Sequence, residues 1–186
     1  MKFVFIIDPI HRLDPGHDTS VAMMEAAQNR GHEVWITAAS ALSVVAGKAL
    51  ALMHPVKLTP VQLVDGLWAA ATPWFELGEA VQRPLEDMDA VFMRTDPPVT
   101  VPYLYATYIL DYVDPAKTKV INAPSGLRAA NEKMYALQFT EAIPETIVTQ
   151  SKAVIRETVE RWGSAVLKPL GGKAGEGILF LQAGDR

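Results

Sequence analysis

Short unbroken apolar runs alternate with longer mixed stretches through the first half of the chain. Phe3–Ile7 (FVFII) is the first such run, closed by Asp8-Pro9, and it predicts a strand buried in a parallel sheet. Asp18, Thr19 and Ser20 are N-cap candidates for a helix reaching about Arg30, and Gly31 stands where a C-terminal glycine belongs. Glu33–Thr37 predicts the second strand, Asp89–Arg94 and Lys119–Ala123 two more, and Pro102 opens a helix through about Tyr112. Residues 39–88 are less regular. Ala41–Met53 is apolar without a clean period, Pro55, Pro60, Pro73 and Pro84 punctuate the rest, and Trp68, Trp74 and Phe75 pack either a helix or a hairpin.

The pattern changes after Ala123-Pro124. Ser125–Phe139 predicts a helix with Ser125 as N-cap and Leu127, Ala130, Met134 and Leu137 on one face. Glu145–Thr149 predicts a strand, and Ser151–Trp162 a helix stopped by Gly163. Ala165–Leu170 and Gly177–Gln182 predict two strands with no helix between them, hence an antiparallel hairpin. Alternating β and α elements argue for an α/β fold with a parallel sheet in residues 1–123, and the change of pattern places a domain boundary near Ala123-Pro124, with residues 124–186 as the beginning of a second domain.

Composition sharpens this only a little. With 186 residues, 49% hydrophobic and 20% charged, the chain has room for one domain and part of another and is not disordered. A net charge of −4 argues against a nucleic-acid partner. No apolar run approaches the roughly 20 residues that span a bilayer, and no signal-peptide pattern opens the chain, so a cytoplasmic, non-membrane setting is expected. The absence of cysteine removes thiolate nucleophiles and Cys metal sites.

The strongest chemical signal is the segment from Val166 to Ile178, where Gly171, Gly172, Gly175 and Gly177 fall between two apolar strands. Such a turn lets main-chain N–H groups close on an anion, and Lys168 and Lys173 add positive charge, so a polyphosphate suits it. It is not a Walker A loop, because Ala174 follows Gly172-Lys173, and not a dinucleotide fingerprint, because a strand follows it. A plain flexible hairpin tip has the same glycine content. Strand alternation places Lys168 on one face with Val166 and Leu170, where a lysine is costly to bury without an anion; an edge-strand lysine is the alternative. Lys133 borders the apolar stripe of its helix, a position typical of a snorkelling lysine. Arg94 and Asp96 lie past the carboxyl end of a strand, where open parallel sheets place ligands, in a loop stiffened by Pro97-Pro98. The Arg fork suits a carboxylate, though a local Arg–Asp pair on a solvated loop fits the residues too. Asp8 holds the equivalent position after the first strand. His11, His17, His32 and His54 lack metal-ligand spacing, and Tyr103, Tyr105 and Tyr108 are expected to pack one helix onto the sheet.

Taken in order, Asp8-Pro9-Ile10, Phe92-Met93-Arg94-Thr95-Asp96-Pro97-Pro98, Tyr105 to Leu110, Asn131-Glu132-Lys133, Pro144-Glu145-Thr146 and Leu167-Lys168-Pro169-Leu170 with its glycine loop resemble the prokaryotic glutathione synthetases, members of the ATP-grasp ligases. The resemblance implies a Rossmann-like pre-ATP-grasp domain followed by the first part of an ATP-grasp domain. It implies ligation of γ-glutamylcysteine to glycine with ATP, through an acyl phosphate, with Mg²⁺ or Mn²⁺, in a homo-oligomer. It assigns Lys133 and Lys168 to ATP, and Gly171, Gly172, Gly175 and Gly177 to the phosphate-covering loop. Arg94 and Asp96 fall on the loop near the peptide substrate.

Two departures stand out. Thr95 replaces a lysine common in the family, and Gly171 and Lys173 stand where many members read Asp and Met. Family members run to on the order of 300 residues, with metal ligands late in the ATP-grasp domain, so the 186 residues are expected to be inactive alone. The alternatives are another ATP-grasp carboxylate–amine ligase, or a non-catalytic oligomerisation or binding module.

Overall fold

The computed structural model describes residues 1–96, 98–171 and 175–185. They form two compact units, one of residues 1–96 with 100–128 and one built mainly from Ala129 onward.

In the first unit, β1 (Lys2–Ile6) leads through a 3₁₀ turn to α1 (Thr19–Asn29) and then to β2 (Glu33–Thr37). Asp18 starts the helix: its Oδ1 accepts from the amides of Ser20 (2.6 Å) and Val21 (3.2 Å), which the first turn would otherwise leave without a partner. The stretch that sequence periodicity left open, residues 39–88, is mainly strand, with 3₁₀ turns at Ala39–Ala41 and Leu85–Asp87. It holds β3 (Leu42–Val45), the long β4 (Lys48–Leu58), β5 (Gln62–Val64), β6 (Leu67–Ala69), β7 (Phe75–Leu77) and β8 (Val81–Pro84). Strands β3, β7 and β8 all pair antiparallel with β4, and β5–β6 form a separate hairpin. The turns are Ala46-Gly47 and Asp65-Gly66, all four residues at positive φ, the geometry that a two-residue hairpin requires. β9 (Ala90–Met93), α2 (Val101–Leu110) and β10 (Lys119–Ile121) complete the unit.

The main sheet runs β10-β9-β1-β2-β4-β3. β10, β9, β1 and β2 are parallel, as expected, and β4 enters antiparallel to β2. β1 is buried on both sides, which is why it reads as a continuous apolar run. Val4 and Ile6 join the cluster that holds Met53, Val91, Met93, Ala106 and Leu110. Phe5 and Ile7 join the one that holds Val21, Met24, Val34, Ile36 and Leu58. α1 thus covers one face and α2 the other. Each fully buried side chain of this kind contributes about 1.5–3 kcal/mol. A polar contact also ties α1 to the sheet: the Gln28 amide donates to the Leu58 carbonyl and accepts from the Leu58 N–H, both at 2.8 Å.

α2 does not use all of its aromatics for packing. Tyr103 is half-buried, and burial pushes its phenol pKa up, but Tyr105 and Tyr108 face outward, 65% and 51% exposed. The expectation that all three pack on the sheet is corrected. Ala106, Thr107 and Leu110 are the residues that turn inward.

The chain after Ala123, which ends the first unit and forms most of the second, departs further from its pattern. The single helix expected over 125–139 is broken into α3 (Pro124–Ala129), α4 (Glu132–Tyr135) and a 3₁₀ turn over Ala136–Gln138. Asn131 is the cause. Its Oδ1 accepts from the amides of Lys133 (3.2 Å) and Met134 (3.1 Å) and starts a new helix in the middle of the apolar stripe. Glu145–Thr149, expected as a strand, pairs with no strand among the described residues. α5 (Lys152–Trp162) matches its prediction, capped by Ser151 and closed by Gly163. It packs on the antiparallel hairpin of β11 (Ser164–Leu167) and β12 (Leu179–Gln182).

Candidate functional site

Two places hold the residues singled out above. In the second unit, the loop between β11 and β12 begins three residues earlier than alternation suggested. The ladder closes at Leu167 opposite Leu179, so Lys168, Pro169 and Leu170 lie in the loop. Pro169 has no N–H to extend the ladder. Lys168 is exposed at the strand end rather than enclosed within the strand, which corrects the argument from burial.

Lys133 behaves unlike a snorkelling side chain. Its ammonium donates to the Leu170 carbonyl (3.3 Å) and to Glu132 Oε1 (2.8 Å), and the side chain is only 21% exposed. The Asn131 cap sets this up by placing Lys133 in the first turn of α4. A cation is thereby anchored at the start of the glycine-rich loop.

The loop's later glycines have backbone reasons to be glycine. Gly175 (φ +81) and Gly177 (φ +71) both occupy the left-handed region, and a Cβ at Gly177 would lie 2.9 Å from Pro169 Cγ. Gly171 has open space where its Cβ would be. Gly172, with Lys173 and Ala174, lies outside the described residues. A turn of this type directs main-chain N–H groups to one side, and with Lys133 at its root it suits an anion bearing several phosphates.

The second place is at the carboxyl ends of β1 and β9 in the first unit. The Arg94 amide donates to the Ile6 carbonyl (2.8 Å) and carries the parallel pairing one residue past β9. Its guanidinium turns to the first turn of α1, with Nε donating to Ser20 Oγ (3.2 Å) and Nη2 to Thr19 Oγ1 (2.7 Å). Those partners are neutral hydroxyls, and Arg94 forms no ion pair among the described residues. Asp8 Oδ2 accepts from the Asp96 N–H (3.1 Å), so the loops after β1 and β9 are joined there. Pro97, expected to stiffen this loop, lies outside the described residues. The place thus presents a guanidinium held by hydroxyls and an Asp8 carboxylate that ties the loop after β1 to the loop after β9.

Sequence reasoning missed two contributors. Thr19 and Ser20 were read only as capping candidates, whereas their hydroxyls orient Arg94. Asn131 was read as one letter of a motif, whereas its cap breaks the helix and places Lys133. The clue in each case is a small polar residue at a helix start.

Comparison with known proteins decides the family. Residues 1–128 match the family described as prokaryotic glutathione synthetase, N-terminal domain, and residues 132–186 match its ATP-grasp domain. The chain belongs to the prokaryotic glutathione synthetase family. It is 69% identical over 186 residues to the glutathione synthetase of Nostoc sp. and 59% identical to that of Synechocystis sp.. It is 38% identical over 185 residues to that of Shewanella oneidensis. In these matches all of the chain is covered, against 57%, 58% and 56% of the relatives, so the chain spans little more than half their length. Among solved structures, the ATP-grasp ligase PsnB complexed with minimal precursor, Mg and ADP matches with a TM-score of 0.51 at 17% identity. That match covers 97% of this chain and 58% of the other and supports the α/β fold.

Proposed function

We propose that this chain supplies the N-terminal domain and the phosphate-covering hairpin of a glutathione synthase. The observation that carries the reading is the Lys133 ammonium seated on the Leu170 carbonyl at the root of the glycine-rich loop. It joins in one place the two sequence segments that the family resemblance assigns to ATP. Residues 1–123 are the pre-ATP-grasp domain in this reading, and residues 124–186 begin the ATP-grasp domain.

In the reaction, the γ-phosphoryl group of ATP passes to the C-terminal carboxylate of γ-glutamylcysteine. The amine of glycine then attacks the acyl carbon, expels phosphate, loses a proton and leaves glutathione and ADP. Such chemistry asks mainly for phosphate positioning, charge neutralisation and exclusion of water. Lys133 and Lys168 meet the phosphate charge, and Gly171, Gly172, Gly175 and Gly177 let the backbone close over it. Arg94, oriented by Thr19 and Ser20, receives a substrate carboxylate, with Asp96 on the same loop. The family's divalent cation, Mg²⁺ or Mn²⁺, has no matching donor set here: no group of three His, Cys, Asp or Glu suited to a metal occurs among the described residues. No step is assigned to it.

Calorimetric titration with ATP tests the reading. A charge-assisted hydrogen bond is worth about 1.5–3 kcal/mol, so Lys133→Met is expected to weaken ATP at least tenfold while Arg94→Ala leaves it within about twofold. Equal losses in both variants would refute the division of roles. Competition between γ-glutamylcysteine and other peptides in a phosphate-release assay of the full-length protein identifies the acceptor. Preference for a different peptide would move the protein to another carboxylate–amine ligase.

A further inference from the structure

The hairpin of β5 and β6 exposes every one of its strand residues. Four of them are apolar: Leu63, Val64, Leu67 and Trp68 are 60%, 49%, 74% and 56% exposed. Single exposed apolar side chains are ordinary, but a contiguous set marks a binding surface. A two-stranded hairpin is also only marginally stable by itself in water, so this one gains from whatever it holds. Strand pairing sets Leu63 opposite Trp68 and Val64 opposite Leu67, which puts the first pair on one face and the second pair on the other.

Two contacts tie the hairpin to the elements that carry Arg94. At its base the Val61 N–H donates to Oε1 of Glu25, a buried residue of α1 (3.0 Å). Along β6, Trp68 lies against Gly16, where an added Cβ would come within 3.3 Å of Trp68 Cβ and 3.5 Å of its carbonyl oxygen. Gly16 belongs to the turn over 14–18, which the His17 and Asp18 amides close by donating to the Asp14 carbonyl (3.1 and 2.8 Å). That turn runs directly into the Asp18 cap and then into Thr19 and Ser20, the hydroxyls that hold Arg94. Gly16 and Thr19 are three positions apart, hence at most about 11 Å between Cα atoms, a span that a dipeptide of about 7 Å together with a tryptophan side chain covers. The Leu63–Trp68 face is the one that meets this turn.

We propose that Trp68 is a specificity-determining residue of the acceptor site: its indole, with Leu63 beside it, receives the cysteine side chain of γ-glutamylcysteine while Arg94 holds a carboxylate of the same peptide. This deepens the function proposed above and rests on its placement of the acceptor at Arg94. The chemistry of the face selects the occupant. Residues 62–69 hold one charged side chain, Asp65 in the turn, so the hairpin offers no cation for a second carboxylate. An uncharged side chain fits it, and a thiol beside an indole gains a sulfur–aromatic contact that a plain methyl group lacks. Charge recognition thus falls to Arg94 and side-chain recognition to the hairpin, the usual division in a pocket of apolar walls with few polar anchors.

Steady-state phosphate release by the full-length protein tests it with two acceptors, γ-glutamylcysteine and γ-glutamylalanine, which lacks only the sulfur. In Trp68→Ala the kcat/KM preference for γ-glutamylcysteine should fall at least about fivefold, with KM for ATP within about twofold of wild type. Trp68→Phe keeps an aromatic face and should restore most of the preference. Leu67→Ala, on the other face of the same hairpin, should leave the preference unchanged and so controls for a general loosening of the hairpin. An unchanged preference in Trp68→Ala, equal losses for the two acceptors, or the same loss of preference in Leu67→Ala would each overturn the proposal. Arg94→Ala separates this failure from failure of the site itself, because it should raise KM for both acceptors alike. If it raises neither, the acceptor does not lie at Arg94 and both readings fall. If it raises both while Trp68→Ala keeps its preference, only the role of Trp68 falls.

Discussion

Replacing Gly177 by alanine separates two physical effects in the glycine-rich loop. The first is conformational: an alanine at φ +71 costs about 1–2 kcal/mol in the left-handed region. The second is steric. The new methyl would meet Pro169 Cγ at 2.9 Å, and relieving such overpacking costs about 1–3 kcal/mol. Gly175 supplies the internal control, because at φ +81 its Cβ would meet nothing within 4 Å, leaving only the conformational part. Gly175→Ala should therefore destabilise the β11–β12 hairpin by about 1–2 kcal/mol and Gly177→Ala by about 2–5 kcal/mol. Pro169→Ala removes the opposing atom, so in that background the two substitutions should become equal. Amide hydrogen exchange of the segments 164–167 and 179–182 reads the effect, with each tenfold loss of protection corresponding to about 1.4 kcal/mol. If Gly177→Ala is no worse than Gly175→Ala, or if Pro169→Ala fails to rescue the difference, the close approach of Pro169 to Gly177 is not what requires glycine there.

Other outcomes follow from contacts away from the loop. Gln28→Ala strips both hydrogen bonds from the buried Leu58 backbone and should lower stability by about 1–3 kcal/mol in urea unfolding. Asp18→Ala removes the cap of α1 and should cost about 1 kcal/mol in the same assay, while Asp18→Asn, which keeps the acceptor, should cost less. The Lys117–Glu86 pair (2.6 Å) gives a pH signature. The hydrogen bond from Lys117 holds the Glu86 carboxyl below its ordinary value of 4.5, and the same bond raises Lys117 above 10.5. The Glu86 contribution is thus complete above pH 4.5 and is lost as pH falls through its lowered value. The Lys117 contribution is complete below 10.5 and is lost as pH rises through its raised value. Lys117→Met should flatten both limbs of the stability profile and leave the shape of the neutral region unchanged.

The α/β class, the parallel strands and the two principal helices of the first unit were legible because each carries its signal locally. Phe3–Ile7 is apolar on both faces, and Asp18 stands directly before the helix it caps. The antiparallel extension over 42–84 was also written locally, in Asp65-Gly66 and Ala46-Gly47, but the prolines and tryptophans around those turns masked the alternation. The helix over 125–139 misled for the opposite reason. Its apolar period is sound, yet one Asn131 side chain outweighs it by capping a new turn.

The candidates for phosphate and carboxylate binding were proposed from side-chain type and spacing, or, for Lys133, from the family resemblance alone, and none of them needed coordinates. What each of them touches did not follow. Arg94 and the Thr19–Ser20 pair are more than seventy positions apart, and only the packing of α1 beside the carboxyl ends of β1 and β9 brings them into hydrogen-bond range. Lys133 reaches Leu170 across 37 positions because two helix and hairpin elements fold together. The outward turn of Tyr105 and Tyr108 likewise depended on which side of α2 the sheet occupies. Local propensity and period act over a few residues, whereas these contacts are chosen by the burial of whole faces, a property that no short window of the chain contains.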